Sequence, residues 1–227
     1  MSVVSQQHLF SSSAMMSIDG GGSVQFDNST DNLQISNASA LSGFSGNFTI
    51  EFWFKGGNQS GFAVFLETYN SSGGQKWAIQ AESGGNTNMI WVRNGSITLT
   101  TSGIDALDNA WHHHAVVRSG STITYYIDGV SRGSESYSGT LSACTNLIIG
   151  DYSQSIGGYG IVGYLSNVRI VNSAVYTSNF TPSTSPLTAV TNTKLLCCQS
   201  KTSATAADVT PGTIVNNGTT ASSSNPF

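Results

Sequence analysis

The sequence predicts an all-β protein built as a two-sheet antiparallel jelly-roll sandwich. Three observations lead to this prediction. Short segments rich in apolar and β-branched residues recur about every 8–12 residues. Turn-forming pairs such as Gly-Gly, Asn-Gly and Ser-Gly separate them, and no window shows the apolar repeat of a long helix. Because each strand offers one apolar face, two sheets can bury these faces against each other.

The predicted strands follow one another along most of the chain. They cover 23–26, 32–35, 48–55, 62–69, 76–81, 88–93, 96–101, 112–118, 122–128, 146–150, 161–171 and 194–199. The segment 48–55 alternates most clearly. One of its faces carries Phe48, Ile50, Phe52 and Phe54, and the other carries Thr49, Glu51, Trp53 and Lys55. Asp128-Gly129 follows the run Thr-Ile-Thr-Tyr-Tyr-Ile and predicts a two-residue type I′ hairpin turn.

Residues 1–22 are predicted to form an N-terminal arm, because their apolar residues follow no clear period and the run ends in Gly20-Gly21-Gly22. Such a glycine triplet is a flexible break. Two interpretations stay open, a frayed terminus and a docking arm that orders on a partner. The docking interpretation depends on apolar residues that a polar frayed end does not usually carry, namely Leu9, Phe10, Met15 and Met16.

The jelly-roll domain is predicted to span 23–199. Within it, 172–190 carries Pro182 and Pro186 in a run rich in Ser and Thr, so this segment should wrap the outside of the sandwich as an extended loop. Residues 200–227 form an extended C-terminal segment rich in Thr, Ser, Ala, Asn and Gly. This last segment either covers the sandwich or is a flexible end.

Charge and composition argue against several function classes. Charged residues make up 9% of the chain, against roughly 25% in an average soluble protein. The formal net charge is −4, so nucleic-acid binding through a basic patch is not expected. No stretch approaches the roughly 18 apolar residues of a membrane helix. The start of the chain lacks the basic and apolar regions of a signal peptide, so we expect synthesis in the cytoplasm and no membrane insertion.

Three cysteines and a run of three histidines are the residues most suggestive of metal or redox chemistry. They are Cys144, Cys197 and Cys198, and His112, His113 and His114. An odd number of cysteines without a CxxC pair predicts reduced thiols, because adjacent cysteines bridge only in a strained ring. On a strand the first and third histidines would share a face. No third ligand accompanies them, so we expect a structural role, with metal binding as the alternative.

Several segments resemble, in order, the laminin-G-like branch of the concanavalin A-like lectin/glucanase superfamily. They lie at 23–27, 47–54, 111–118, 125–129, 147–150, 163–170 and 175–182. The ordered set covers about residues 23–196 and carries more weight than any single piece. The resemblance implies a curved two-sheet jelly roll, in agreement with the strand pattern.

The end of the chain is similar to the close of such domains in virion proteins of tailed phages. The similar stretches are 192–200 and 211–214. This resemblance implies a virion structural protein on the particle surface, and we favour a capsid decoration or cement protein attached through 1–22 and 200–227. Its partners would be the major capsid protein or other virion proteins, in a homo-oligomer such as a trimer. A surface poor in charge suits such permanent contacts, since burying it costs little desolvation.

The sequence does not predict an enzyme. Glucanases of the superfamily carry a Glu-x-Asp-x-x-Glu strand whose carboxylates perform the chemistry, and no such run occurs. The four glutamates of the chain have no second carboxylate within two to four residues: Glu51, Glu67, Glu82 and Glu135. A Ser-His-Asp triad stays open, since its members lie far apart in sequence, but no Gly-x-Ser-x-Gly elbow is present. No catalytic residue is assigned.

Carbohydrate binding is the alternative function, as an adhesin module of a tail or head fibre that recognises host-surface glycans. Lectin sites combine exposed aromatic rings with polar side chains that bond to sugar hydroxyls. Residues of this kind in or beside predicted loops are Tyr69, Trp77, Asn86, Asn88, Trp91, Tyr152 and Tyr159. Packing of Trp77 and Trp91 inside the sandwich is the competing interpretation, because aromatic residues are common in strands.

Calcium is the one cofactor that the resemblance suggests. Relatives in this branch often hold one ion at the rim of the sandwich through aspartates and carbonyl oxygens, the ligands that a hard cation requires. The candidate ligands are Asp27, Asp31 and Asp151. Their spacing matches no dense ligand loop, and no other cofactor is expected.

Overall fold

A computed structural model describes residues 21–27, 30–57, 59, 62–70, 74–82, 88–102 and 104–227. In chain order its strands are β1 (Ser23–Phe26), β2 (Asn32–Ser36), β3 (Phe48–Lys55), β4 (Ala63–Tyr69), β5 (Gln75–Ala81), β6 (Met89–Arg93), β7 (Ser96–Thr100), β8 (Trp111–Ser119), β9 (Thr122–Ile127), β10 (Val130–Ser136), β11 (Asn146–Ile149), β12 (Gly163–Val171), β13 (Thr193–Cys197), β14 (Ala207–Val209), β15 (Ile214–Asn217) and β16 (Thr220–Ser222). A short 3-10 helix spans Ala38–Leu41. Within the described part of the chain, no helix is long and apolar enough to cross a membrane.

The strands form two antiparallel sheets, which confirms the predicted jelly-roll sandwich. The nine-stranded sheet runs in the order β10-β9-β8-β3-β12-β1-β16, with β13 paired to β12 and β14 to β13. The seven-stranded sheet runs β15-β2-β11-β4-β5-β6-β7. One large apolar cluster lies between them and draws on strands of both sheets. The predicted inner face of β3 belongs to this core, and its residues Phe48, Ile50, Phe52 and Phe54 are fully buried.

Thr49, Glu51 and Trp53 on the outer face of β3 are buried as well, whereas Lys55 is half-buried. The segment 172–190 crosses this face as predicted. Thr49 Oγ1 donates to the Ser173 carbonyl at 2.9 Å, and the Tyr176 hydroxyl donates to Glu51 Oε2 at 2.9 Å. The rings of Tyr176 and Phe180 stack with centroids 3.6 Å apart. We call 172–190 the outer strap.

The predicted type I′ turn at Asp128-Gly129 is confirmed, since both residues have positive φ angles, 52° and 74°. This turn also seats the outer strap. The Phe180 amide donates to the Gly129 carbonyl at 2.9 Å, and a β-carbon on Gly129 would run into the Phe180 carbonyl oxygen. Glycine is therefore required here for its φ angle and for the close approach of the strap.

The C-terminal segment covers the sandwich and adds strands to both sheets, which is one of the two interpretations of its sequence. β15 pairs with β2 in the seven-stranded sheet, and β16 pairs with β1 in the nine-stranded sheet. The segment thus ties both sheets together, and the boundary predicted at residue 199 does not separate two structural units. The docking residues Leu9, Phe10, Met15 and Met16 lie outside the described residues.

The cysteines and His114 are packing residues, whereas His112 and His113 pair with carboxylates. All three cysteines are buried and free, and the sulfurs of Cys197 and Cys198 lie 3.5 Å apart. His114 is fully buried and stacks on Phe52 with centroids 5.0 Å apart. Burial lowers the pKa of His114 to about 3, so it is a neutral core residue.

Candidate functional site

The candidate site is a groove on the outer face of the seven-stranded sheet. It encloses about 260 Å³. Its lining residues come from the start and outer face of β4 to β7 and from the loop between β11 and β12: Phe62, Val64, Gln75, Gln80, Val92, Gly95, Ile97, Tyr152 and Tyr159. Alternation along β5 explains the outward position of Gln80. Trp77 and Ile79 join the core, whereas Ala78 belongs to a separate cluster on the other face.

Two tyrosines and a phenylalanine form the aromatic wall of the groove. Tyr152 and Tyr159 meet edge to face with centroids 5.6 Å apart, and Phe62 meets Tyr159 at 6.4 Å. Tyr159 keeps 39% of its surface exposed, so its ring is available to a ligand. Edge-to-face contacts of this kind hold aromatic rings in a defined orientation.

The loop that carries both tyrosines, residues 150–162, is fixed to the sheet by two carboxylates. The Ser153 amide and hydroxyl donate to Glu67 at 2.8 and 3.2 Å. Asp151 accepts the amides of Tyr152 and Gly157 at 2.7 and 2.9 Å. These bonds hold the aromatic wall in place before any ligand arrives, which lowers the entropy cost of binding.

Burial raises the pKa of both carboxylates. The pKa of Glu67 rises to about 7 through burial, and the charge of Asp151 adds to the rise while the two bonds from Ser153 oppose it. Burial likewise raises the pKa of Asp151, against the amide bonds that it accepts. Above neutral pH the two carboxylates that hold the loop, Glu67 and Asp151, are therefore negatively charged.

Substitution Glu67→Gln should change how stability depends on pH. The folded protein binds a proton at Glu67 below about pH 7, and the unfolded chain binds it only near 4.5. The stability from this group is present below pH 4.5 and is lost as the pH rises through 7. We therefore expect the melting temperature of the wild type to decrease relative to that of Glu67→Gln as the pH rises from 4.5 to about 7. The exposed carboxylate variant Asp208→Asn is the control, and a pH-independent difference for Glu67→Gln would contradict the assignment.

The structure separates the predicted sugar-binding residues into groups. Tyr152 and Tyr159 line the groove. Tyr69 is half-buried and does not line it, and Asn88 donates from its amide to Glu82 at 2.9 Å, also away from the lining. Asn86 lies outside the described residues.

Trp77 and Trp91 require a correction. Both are fully buried, and their rings pack with centroids 5.9 Å apart. The indole nitrogen of Trp77 donates to the Leu41 carbonyl at 3.0 Å inside the core. Neither ring can stack on a sugar, because the inward face of each strand buries it between the sheets.

The three aspartates predicted as calcium ligands take part in hydrogen bonds within the protein. The amide of Asp27 donates to Asp31 Oδ2 at 3.0 Å, and Asp151 holds the groove loop. Across the described ranges, no group of three or more His, Cys, Asp or Glu side chains is placed to hold a metal ion. Asp27 instead borders a second cavity of about 270 Å³, beside Lys55, Asn109 and Tyr164.

Sequence reasoning missed most of the groove lining. Phe62, Val64, Gln75, Gln80, Val92 and Ile97 lie in predicted strands or next to them, where apolar residues are expected to be core. Period-2 alternation could have marked Gln80 as outward-facing. The loop that folds over this face turns outer-face residues into a groove, and no strand pattern encodes that arrangement.

Known proteins share the fold that carries this groove. A family model described as the concanavalin A-like lectin/glucanases superfamily, of the laminin G type, matches residues 27–178. No curated protein matches the chain.

Solved structures share the fold at low sequence identity. A native heptameric SAP-like pentraxin from Limulus polyphemus is 14% identical with a TM-score of 0.66, over 89% of this chain and 95% of that one. A putative carbohydrate binding protein from Bacteroides ovatus is 14% identical with a TM-score of 0.63, over 88% and 59%. Domains LG4-5 of the mouse laminin alpha1 chain are 15% identical with a TM-score of 0.50, over 71% and 47%.

Proposed function

Because the chain belongs to the concanavalin A-like lectin/glucanase superfamily, we propose that it is a non-enzymatic, lectin-like module that binds a carbohydrate. The groove on the outer face of the seven-stranded sheet is the binding site. The observation that carries the proposal is the partly exposed ring of Tyr159, which lies on a groove whose lining also includes Gln75 and Gln80.

This combination suits the apolar and the polar parts of a sugar. The C–H face of a sugar is apolar and packs on aromatic and aliphatic walls, whereas its hydroxyls need hydrogen-bond partners in fixed positions. The groove supplies both, and its loop is fixed by Glu67 and Asp151. The fold similarity to a putative carbohydrate binding protein from Bacteroides ovatus supports the same class of ligand.

Substitution Tyr159→Ala should weaken sugar binding by about tenfold or more, because it removes one packed ring from the ligand. The matched control is Phe227→Ala, since Phe227 is also 39% exposed but packs on Trp53 of the other sheet. A glycan array followed by calorimetry on the best sugar measures both variants. Equal losses for the two variants, or no sugar bound by the wild type, would contradict the proposed function.

We also propose a location for this module, on the surface of a tailed-phage virion as a capsid decoration protein. The support is the sequence resemblance at 192–200 and 211–214 together with the 9% content of charged residues. Because residues 200–227 pair with strands of both sheets, we expect the N-terminal arm to attach the protein to the major capsid protein. Immunogold label over the head of purified particles is expected. Label at the tail would favour a fibre adhesin, and particles without the chain would contradict both locations.

A further inference from the structure

The lining of the groove carries no charge. Among the described residues that form it, the polar side chains are the amides of Gln75 and Gln80 and the hydroxyls of Tyr152 and Tyr159. Glu67 and Asp151 hold the loop of the aromatic wall. Both are acidic and no described lining residue is basic, so an anionic sugar would meet repulsion without a cation in the lining.

One lining amide lacks a hydrogen-bond partner. The side-chain nitrogen of Gln75 is buried and makes no hydrogen bond to any described residue. A buried donor left in this state is unfavourable, and a ligand that brings an acceptor recovers this cost. The terminal torsion of glutamine is broad, so the amide of Gln75 can rotate to meet an acceptor in the groove.

An apolar wall lines the same groove as this amide. Gly95 is close to the Gln75 backbone, because a β-carbon on Gly95 would lie 3.3 Å from the Gln75 carbonyl oxygen. Ile97 follows two residues later, is 55% exposed and pairs with Val92 across β6 and β7. One groove therefore contains both a hydrogen-bond donor and an apolar surface.

We infer that the groove selects a neutral sugar that carries an acetamido group, such as a 2-acetamido-2-deoxyhexose. The acetamido carbonyl oxygen accepts from the Gln75 amide, and the acetamido methyl packs against Ile97 and Val92. The carbonyl and methyl of an acetamido group share one carbon atom, so one group can use both the donor and the apolar wall of this groove. This inference rests on the proposed function and names its ligand class.

Two disaccharides that differ only at this group test the inference. N,N′-diacetylchitobiose carries acetamido groups where cellobiose carries 2-hydroxyls, and the two are otherwise the same. Calorimetry at neutral pH should show diacetylchitobiose binding about tenfold tighter or more, the effect of one satisfied buried donor. An acidic disaccharide of glucuronic acid and N-acetylglucosamine should bind more weakly than diacetylchitobiose.

Variants assign the preference to Gln75. Gln75→Met keeps the length of the side chain and removes its amide, so it should bring the two affinities close together by weakening diacetylchitobiose far more than cellobiose. Gln34→Met is the matched control, because Gln34 lies on the same sheet outside the groove and donates to Asn32. Tyr159→Ala should weaken both sugars.

Each contrary outcome has its own meaning. Equal binding of the two sugars by the wild type would overturn the acetamido inference and leave the proposed function standing. A preference that survives Gln75→Met would overturn the inference as well, because the donor would then lie elsewhere. Binding of no sugar by a folded wild type would overturn the proposed function together with the inference.

Discussion

Substitution Glu51→Ala should lower the free energy of unfolding by about 3–5 kcal/mol, because it leaves a buried guanidinium without its counter-charge. Glu51 is fully buried. Its carboxylate pairs with Arg169 at 2.6 Å and with His113 at 3.1 Å, and it accepts the Tyr176 hydroxyl. Burial alone would raise the pKa of Glu51, but the hydrogen bonds and charges of His113 and Arg169 outweigh it and lower the pKa.

The double variant Glu51→Leu/Arg169→Met is the control for this prediction. It removes both charges and leaves similar volumes, so it should be more stable than Glu51→Leu or Arg169→Met alone. Urea unfolding of the four proteins measures the coupling between the two residues. A loss below about 1 kcal/mol for Glu51→Ala would show that the pair behaves like a solvated surface ion pair and would contradict the burial described above.

This network also determines how the outer strap is held. Arg169 donates to the Thr188 carbonyl at 2.8 Å, and Tyr176 reaches Glu51 from the other end of the strap. The charged groups thus bind the segment 172–190 at two points over the nine-stranded sheet. The outer strap closes the part of that face around Glu51, whereas the second cavity beside Lys55 and the groove on the opposite sheet remain open.

The strands could be predicted because their patterns are local. The alternation in 48–55 places Phe52 and Phe54 on one face, and the structure buries both. The positive φ angles of Asp128 and Gly129 follow from residue types that tolerate that conformation. In each case the neighbouring residues contain the information, so no distant contact is needed to make the prediction.

The groove could not be predicted because it depends on departures from alternation. Phe65 and Leu66 both join the core, where the pairing of β4 with β5 shifts its register. This shift moves Glu67 to the outer face, under the loop of Tyr152. A strict period of two counted from Phe65 would place Glu67 in the core, so its role in fixing the loop was not visible in the sequence.

The C-terminal strands were missed for a different reason. β15 and β16 are four and three residues long and consist largely of Asn, Thr and Ser, which have little apolar alternation. Their stability comes from pairing with β2 and β1, far away in the sequence. Tertiary context overrides weak intrinsic strand preference in such short segments.

Substitution Trp91→Ala should also destabilise strongly, by about 3–5 kcal/mol, the usual cost of truncating a buried aromatic residue. Trp91 packs on Trp77 at 5.9 Å and on Phe48 at 6.1 Å between centroids. If Trp91 were a sugar platform, its loss would weaken binding and leave stability unchanged. We expect the reverse: thermal unfolding at a lower temperature, with unchanged sugar affinity for the fraction that remains folded.

Phenylalanine substitutions separate packing from hydrogen bonding at the two tryptophans. The indole nitrogen of Trp77 donates to the Leu41 carbonyl, whereas that of Trp91 has no partner among the described residues. Trp77→Phe leaves a buried acceptor unpaired, and Trp91→Phe removes a buried donor that was already unpaired. We therefore expect Trp77→Phe to cost more, by about 1 kcal/mol. Equal costs in urea unfolding would show that side-chain volume alone sets the stability of this part of the core.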